Sequence, residues 1–191
     1  RISSKFLHPG PGFGGSCFPK DTQAIAALSS KKGVPLSTID AAIGSNDIQK
    51  KRMFQKLASL LGKEIKGKTV AILGLAFKPN TDDVRESASI DMIHGILEGG
   101  GVVRAYDPIA NETMKSYYPD LNYFDSWEKA CESADAVAIM TEWNEFRGMA
   151  LEKLKSLMKS PILLDTRNIF SIEKLIELGF QFDNVGRKVS K

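Results

Sequence analysis

The chain has 191 residues, 42% of them hydrophobic and 26% charged, which is typical of a globular protein that can bury its own core. The net charge of +3 is too small for the basic stripe of a nucleic-acid-binding domain, and no apolar run approaches the roughly 20 residues that span a bilayer. The two cysteines, Cys17 and Cys131, lack metal-ligand spacing. We therefore expect free thiols, no metal site and a cytoplasmic location.

The first third of the chain predicts a loop followed by helices. Residues 1–20 are rich in Gly and Pro, which favours a loop, and residues 21–28 have a helical composition. After a break at residues 31–35, residues 37–61 lack proline and space their apolar side chains for a helix. This helix is long enough to bridge two domains or to pair with a second subunit, so we expect a homodimer or a higher homo-oligomer.

From residue 68 onward, short apolar strands alternate with helices. Strands are expected at residues 69–75, 102–106, 122–124, 134–140, 162–165 and 180–183. Helices are expected at residues 89–98, 112–118, 127–133, 151–159 and 172–178. The alternation predicts an α/β fold, with a helical linker or dimerisation segment over residues 1–66 and a doubly wound, Rossmann-like parallel sheet of about six strands over residues 67–191.

The most informative segment is GPGFGGSCFPKD, residues 10–21. Gly10, Gly12 and Gly15 formally match GxGxxG, but a dinucleotide-binding loop requires a strand directly before its glycines, and here FLHP precedes them. We favour a cradle in which glycine backbone N–H groups approach a ligand closely. Cys17 ends this cradle, just before a helix expected to begin near Pro19, since proline suits the first helical turn.

Cys17 has the surroundings of a nucleophilic thiol. The positive end of a helix dipole and the nearby Lys20 both favour the thiolate. Asp21 follows four residues later, so it can share a helix face with Cys17 and orient a water or a proton-transferring group. The alternative is that Cys17 is a small buried hydrophobic residue, as free cysteines usually are. Cys131, inside the helical stretch WEKACES, is assigned that structural role.

A second polar segment, GLAFKPNTDDVRES at residues 74–87, follows the first predicted strand. Ligands of open α/β sheets bind at the carboxyl ends of the strands, so this loop is a candidate ligand site. Phe77 can pack on a uracil or ribose, and Lys78 can pair with a diphosphate. Asp82 and Asp83 are expected to cap the next helix or to pair with Arg85.

Two further polar positions are assigned structural roles. Ser87 or Ser89 is expected to cap the helix that follows. Asp107 ends the second predicted strand, where an acid can hold a ribose in a nucleotide-binding domain. We interpret Asp107 as structural, and the ribose-binding alternative stays open.

The two segments GPGFGGSCFPKD and GLAFKPNTDDVRES resemble the motifs of the UDP-glucose/GDP-mannose dehydrogenase family, and the resemblance extends from Arg1 to the terminal GFQFDNVGRKVS. It implies an NAD-dependent enzyme that oxidises a sugar CH2OH group to a carboxylate in two hydride transfers. It further implies that Cys17 attacks the intermediate aldehyde to give a thiohemiacetal and then a thioester, which water hydrolyses with the assistance of Asp21. Because the family's NAD-binding domain precedes this segment and the chain begins at Arg1 rather than Met, we expect a C-terminal portion that is inactive alone.

The resemblance also implies which residues contact the ligands. Substrate-binding roles are implied for Arg1, Phe6, Leu7, His8, Pro9, Gly10, Pro11, Gly12, Phe13, Gly14, Phe77, Lys78 and Arg167. Contacts with the NAD cofactor are implied for Cys17, Phe18, Pro19, Lys20 and Arg85. Arg1 is expected to reach into the sugar site of a neighbouring subunit, and the alternative is a solvated terminal arginine.

Several functional alternatives remain beside the expected oxidation of UDP-glucose to UDP-glucuronate. UDP-glucose is favoured by GGSCFPKD, because acetamido-sugar members usually carry a histidine beside the cysteine, and by the terminal GFQFDNVGRKVS. GDP-mannose stays open, because base recognition is not readable from side-chain types. A non-catalytic UDP-binding or dimerisation module is an alternative of another class. A one-step alcohol dehydrogenase with a structural Cys17 is the third.

Overall fold

The computed structural model describes residues 7–187, which form a single parallel sheet flanked by helices. The helices are α1 (Cys17–Lys32), α2 (Ser37–Leu60), α3 (Ala88–Glu98), α4 (Asn111–Lys115), α5 (Trp127–Cys131), α6 (Asn144–Arg147), α7 (Leu151–Leu157) and α8 (Ile172–Glu177). The strands are β1 (Thr69–Leu73), β2 (Val102–Tyr106), β3 (Asn122–Tyr123), β4 (Ala136–Ile139), β5 (Ile162–Asp165) and β6 (Gln181–Asn184). The sheet order β3-β2-β1-β4-β5-β6, with every pair parallel, confirms the predicted doubly wound fold.

Helix α1 begins at Cys17 itself, earlier than the sequence composition predicted. Pro19 lies in its first turn, where the missing N–H has no intrahelical partner to lose. The helix ends at Gly33, whose φ of 68° is the left-handed conformation that glycine adopts without strain. Cys17 is therefore the first residue of the helix rather than a residue of the preceding loop.

Helix α2 has 24 residues and is about 36 Å long. Its second half packs on the sheet, because Met53, Leu57 and Leu61 belong to the same buried cluster as β1. The Lys56 ammonium also pairs with the carboxylate of Asp183 on β6 at 2.8 Å. The predicted linker helix is thus docked on the sheet, and the hydrophobic core crosses the domain boundary predicted at residue 66.

The central strands bury both faces, as their near-continuous apolar sequences predict. On β1, Val70 and Ile72 join the core that contains α2 and α3. Ala71 and Leu73 alternate with them and join the opposite core, which contains residues of α5, α7 and α8. Two helical layers therefore cover the sheet, and its ligand-accessible part is the edge where the strands end.

The observed elements differ from the predicted ones mainly at their ends. The β4 strand covers residues 136–139 rather than 134–140, and α4, α5 and α7 are shorter than predicted. The four-residue helix α6 was missed, because one helical turn has no detectable apolar period. Within residues 7–187, no helix is long and apolar enough to cross a membrane.

Candidate functional site

The glycine-rich loop lies between α2 and the segment that follows β1. On the α2 side, Asn46 Oδ1 accepts a hydrogen bond from the Phe13 N–H at 2.7 Å, and Asn46 Nδ2 donates to the Phe13 carbonyl at 3.1 Å. On the opposite side, the Gly15 N–H donates to the Arg85 carbonyl at 2.9 Å. Residues 7–16 contain no strand, so these glycines do not form the strand–turn–helix unit of a dinucleotide-binding loop.

Two glycines of the loop are required by close approach to the segment after β1. A Cβ atom at Gly14 would overlap the Glu86 carbonyl oxygen. Gly15 has a φ of +86°, and a Cβ atom there would lie 2.8 Å from the Phe77 ring. The loop that precedes Cys17 is therefore packed directly on Phe77 and Glu86.

Cys17 is exposed at the first position of α1. Its Sγ lies 3.7 Å from Ser16 Oγ. The thiol is therefore on the surface, where a ligand can reach it.

Asp21 lies one helical turn after Cys17, as the spacing predicts. Its carboxylate lies 3.5 Å from the Lys20 ammonium, and the two side chains are 70% and 73% exposed. Such an exposed ion pair contributes little free energy and rearranges easily. The neighbouring Phe18 is also exposed, and its ring packs edge-on against Phe13 with 4.6 Å between the ring centroids.

A cleft of about 540 Å³ opens beside the start of α1, and its size is typical of a small-molecule pocket. Charged side chains on its walls come from four parts of the fold: Lys20, Lys50, Arg85, Glu86 and Asp91. Lys50 is only 4% exposed and pairs with Glu86 at 3.0 Å. Burial raises the pKa of Asp91, while the nearby Lys50 opposes that shift. The cleft therefore combines a helix N-terminus with three cationic and two acidic side chains.

Arg85 is held at this cleft by Asp83. The guanidinium donates two hydrogen bonds to the Asp83 carboxylate at 2.9 and 2.8 Å, which lowers the pKa of Asp83. This confirms the predicted pairing of Asp83 with Arg85. Ser87 caps α3 by accepting a hydrogen bond from the Ser89 N–H at 3.3 Å, which confirms the predicted cap.

The loops after β1, β4 and β5 meet at the carboxyl edge of the sheet, where the strand order reverses between β1 and β4. Arg167 links them: its Nε donates to the Met140 carbonyl at 2.7 Å and its Nη2 donates to the Phe77 carbonyl at 3.0 Å. Burial lowers the pKa of Arg167, and Glu142, 3.1 Å away, opposes that shift. Because the Nε proton points at Met140, Glu142 Oε2 has no hydrogen-bond partner among the described residues. Lys78 is exposed, with its ammonium 5.3 Å from the Phe77 ring centre.

Asp107 is used entirely by the fold. Its carboxylate is 1% exposed. Its two oxygens accept hydrogen bonds, at 2.7 to 3.2 Å, from four backbone N–H groups and one indole N–H: those of Leu75, Ala76, Ile109, Ala110 and Trp143. A carboxylate has about four lone-pair sites, so these donors saturate it. This confirms the structural interpretation of Asp107 over the ribose-binding alternative.

The structure brings most of the predicted site residues into one region but leaves some outside it. Residues 10–15 contact α2, Phe77, Arg85 or Arg167, whereas Leu7, His8 and Pro9 are exposed ahead of the loop. Arg1 and Phe6 lie outside the described residues. In residues 7–187, no cluster of three or more His, Cys, Asp or Glu side chains is arranged to hold a metal ion.

Sequence analysis missed the contribution of α2 to this region. Asn46 and Lys50 are buried polar residues, and they continue the 4-3-4 spacing of the apolar stripe that contains Met53 and Leu57. A polar residue at a core position of an amphipathic helix needs a partner, because an unpaired buried polar group is costly. That interruption of the stripe was the available signal.

Comparison with known proteins gives a consistent assignment along the chain. The model described as "UDP-glucose/GDP-mannose dehydrogenase family, UDP binding domain" matches residues 71–172, and the central-domain model of the same family matches residues 1–48. The chain is 43% identical over 188 residues to the UDP-glucose 6-dehydrogenase of Rhizobium meliloti (strain 1021), covering 98% of this chain and 43% of that protein. The chain therefore spans less than half the length of this curated relative.

Solved structures with the same fold include enzymes for different sugars. A UDP-glucose dehydrogenase from the hyperthermophilic archaeon Pyrobaculum islandicum matches with a TM-score of 0.79 and 33% identity, over 88% of this chain and 38% of that one. An NDP-N-acetyl-D-galactosaminuronic acid dehydrogenase from Methanosarcina mazei Go1 matches with a TM-score of 0.83 and 26% identity, over 94% of this chain and 39% of that one. The backbone alone therefore does not select one sugar.

Proposed function

Since this chain belongs to the UDP-glucose/GDP-mannose dehydrogenase family, we propose that it is the C-terminal part of an NAD-dependent enzyme that oxidises UDP-glucose to UDP-glucuronate. The observation that carries the proposal is the position of Cys17, an exposed thiol at the first position of α1, directly after the glycine loop and two residues before Pro19, which lines the cleft. Identity of 43% to a UDP-glucose 6-dehydrogenase supports the choice of substrate. The NAD-binding domain and the other catalytic groups come from the preceding part of the full-length protein.

The proposed reaction uses Cys17 as a covalent nucleophile. The sugar C6 alcohol first loses a hydride and a proton to become an aldehyde. The Cys17 thiolate adds to the aldehyde carbon, and the resulting thiohemiacetal loses a second hydride to become a thioester. Water cleaves the thioester, which releases the carboxylate and restores the thiol. Asp21, one turn along α1, orients this water and accepts its proton.

The substrate is held between the glycine loop and the carboxyl edge of the sheet. Residues 10–14 contact the sugar through backbone groups other than the Phe13 N–H, the Phe13 carbonyl and the Gly10 carbonyl, which α2 already binds. Phe77 presents an aromatic face to the uridine, and the exposed Lys78 ammonium pairs with the diphosphate. Arg167 anchors the backbone of Phe77 and reaches the loop near Gly10. Arg1 and Phe6 complete the proposed substrate contacts.

Residues at the start of α1 and Arg85 contact one end of the NAD molecule in this proposal. Lys20 and Arg85 bring positive charge to the cleft, as a diphosphate requires, and Pro19 lines it at the start of α1. Cys17 and Phe18, which directly precede Pro19, complete the proposed contacts with NAD. The glycine loop is occupied by protein contacts on both sides and does not cradle a diphosphate. NAD, when bound, supplies the hydride acceptor for both oxidation steps.

A homodimer or higher homo-oligomer is part of the proposal. Large apolar side chains of α1, α2 and the turn between them are exposed: Phe18, Ile25, Leu28, Val34 and Ile48. Exposed apolar patches of this kind are typical of protein–protein contacts. In this arrangement Arg1 reaches the sugar site of the neighbouring subunit.

The first test is the stoichiometry and substrate preference of the full-length protein. We expect two NADH per UDP-glucose, with UDP-glucuronate as the product, and a kcat/KM for GDP-mannose that is lower by at least about 10-fold. Product analysis by mass spectrometry and NADH absorbance measure both quantities. A preference for GDP-mannose would contradict the proposed substrate, and one NADH with an aldehyde product would contradict the two-step reaction.

The second test concerns the 191-residue chain by itself. We expect no steady-state NADH formation from UDP-glucose, because the hydride acceptor site is completed by the preceding domain. We also expect UDP to bind, because Phe77, Lys78 and Arg167 are all present. Absorbance at saturating NAD and titration calorimetry with UDP check these outcomes. Sustained NADH production by this chain would show that no further domain is needed.

A further inference from the structure

Three polar side chains of α2 point toward the glycine loop and the segment after β1. Asn46 and Lys50 are 8% and 4% exposed, and Gln49 is half-buried beside them. They occupy positions i, i+3 and i+4, so they form one continuous patch on the helix surface. None of the three belongs to the motifs that the sequence singles out, and each makes a direct polar contact across the fold.

Asn46 binds the loop at one residue, Phe13, through both the oxygen and the nitrogen of its side-chain amide. Its oxygen accepts from the Phe13 N–H at 2.7 Å and its nitrogen donates to the Phe13 carbonyl at 3.1 Å. This pairing needs the loop to pass very close to α2. At Gly12, where φ is +122°, a Cβ atom would lie 2.8 Å from Asn46 Oδ1. The distance and the register of the loop are therefore both set by this side chain.

Gln49 and Lys50 add polar contacts to two other segments, the start of the glycine loop and the segment after β1. Gln49 Nε2 donates to the Gly10 carbonyl at 2.9 Å, which fixes the start of the loop. Lys50 pairs at 3.0 Å with Glu86, whose neighbour Arg85 accepts the Gly15 N–H through its carbonyl. One face of α2 therefore connects the loop before Cys17 with the segment that carries Arg85.

We propose that Asn46, assisted by Gln49, is a positioning residue that sets where the glycine loop presents the Cys17 thiol to the sugar aldehyde. The inference rests on the proposed function. Cys17 follows Phe13 by only four residues, so a displacement of Phe13 moves the start of α1 and its thiol. Bond formation needs the reacting atoms about 3 to 3.5 Å apart, and a displacement of about 1 Å can lower the rate on the order of 100-fold.

Asn46→Asp in the full-length enzyme tests the two-point contact with almost no change in shape. At pH 8 the carboxylate keeps an acceptor for the Phe13 N–H but loses the donor to the Phe13 carbonyl. We expect kcat to fall about 10- to 100-fold, while the UDP dissociation constant changes less than twofold. A protonated carboxyl again offers one donor and one acceptor, so the ratio of variant to wild-type kcat rises as the pH is lowered.

The side chains that face position 46 come from α2, from the segment after β1 and from α1. Asp47 and Lys50 come from α2 and Glu86 from the segment after β1. The facing part of α1 contributes the uncharged Thr22 and Gln23. These groups are also present in an Asn46→Ala variant, which adds no carboxylate, so its pH profile shows how much of the change in the ratio comes from them.

Three further variants make the test decisive. Asn46→Ala is expected to lower kcat by a similar factor. For this variant the ratio of variant to wild-type kcat is not expected to depend on pH. Gln49→Glu removes only the donor to Gly10 and keeps the side-chain length, so it reports on the loop if the Asn46 variants do not fold. Gln55→Glu makes the same chemical change at an exposed position of α2 and is expected to stay within twofold of the wild type.

The outcomes separate this inference from the function on which it rests. UDP-glucuronate formation by a Cys17→Ser variant at the wild-type rate would overturn both. If Cys17→Ser is inactive but the Asn46 and Gln49 variants keep kcat within twofold, only the positioning role is overturned. Equal losses of kcat and UDP affinity, or an Asn46→Asp ratio that is flat with pH, would mean that Asn46 merely supports the fold.

Discussion

The Cys17→Ser variant of the full-length enzyme is expected to form UDP-glucuronate at a rate lower by on the order of 1000-fold or more. Cys17 is the exposed first residue of α1, and the thiolate is the nucleophilic form of cysteine. A serine hydroxyl at the same place does not ionise near neutral pH, so it is a much weaker nucleophile toward the aldehyde. Coupled product analysis and NADH absorbance measure the loss.

The matched control is Cys131→Ala. Cys131 is fully buried, and burial raises the pKa of its thiol. We expect this variant to keep its turnover and to lose only some stability, because it leaves a small cavity in the core. The UDP dissociation constant is expected to be unchanged in both variants. Normal turnover of Cys17→Ser with one NADH per substrate and an aldehyde product would support a one-step alcohol dehydrogenase, and an inactive wild type would support a non-catalytic UDP-binding module.

The Asp107→Ala variant is expected to lose at least about 3 kcal/mol of unfolding free energy. This carboxylate accepts five hydrogen bonds, and they join the loop after β1, the loop after β2 and the indole of Trp143. Removing it leaves buried N–H groups without an acceptor, which costs more than the hydrogen bonds themselves contributed. Denaturant unfolding followed by circular dichroism measures the change.

Two further variants serve as comparisons for the loss of stability in Asp107→Ala. Asp107→Asn keeps one acceptor oxygen but turns an amide donor toward N–H groups, so an intermediate loss is expected. Asp125→Ala removes an exposed carboxylate paired with Lys129, and we expect no measurable change in unfolding free energy. If Asp107→Ala instead weakened UDP binding while its stability stayed at the wild-type value, Asp107 would be a ribose ligand and not a structural acceptor.

Much of the fold was predictable from local patterns in the chain. The bounds of β2 and β5 agree with the sequence prediction, because short apolar runs between polar turns specify buried parallel strands. Helix α2 was predicted almost to the residue from its apolar spacing. The start of α1 was placed too late, because glycine and proline dominate the sequence there; Ser16 is a favoured N-cap residue, although its side chain makes no cap hydrogen bond.

The candidate site was only partly predictable, for a related reason. The glycine loop, Cys17 and the loop after β1 are each contiguous in sequence, so their motifs were visible. The contacts that join them are not contiguous. Asn46 and Phe13 are 33 residues apart, and Arg167 and Phe77 are 90 residues apart. The interrupted apolar stripe of α2 indicates that Asn46 has a partner, but nothing in the sequence identifies that partner as Phe13.

The sequence by itself determined the α/β alternation, the family resemblance and the residue types that can perform thiol chemistry. Only the tertiary structure decided that Cys17 is exposed at the first position of α1, that Asp107 is saturated by the fold, and that α2 holds the glycine loop. The physical reason is that local propensities act over a few residues. The environment of a side chain, in contrast, is set by whichever distant segments the packed sheet and helices bring against it.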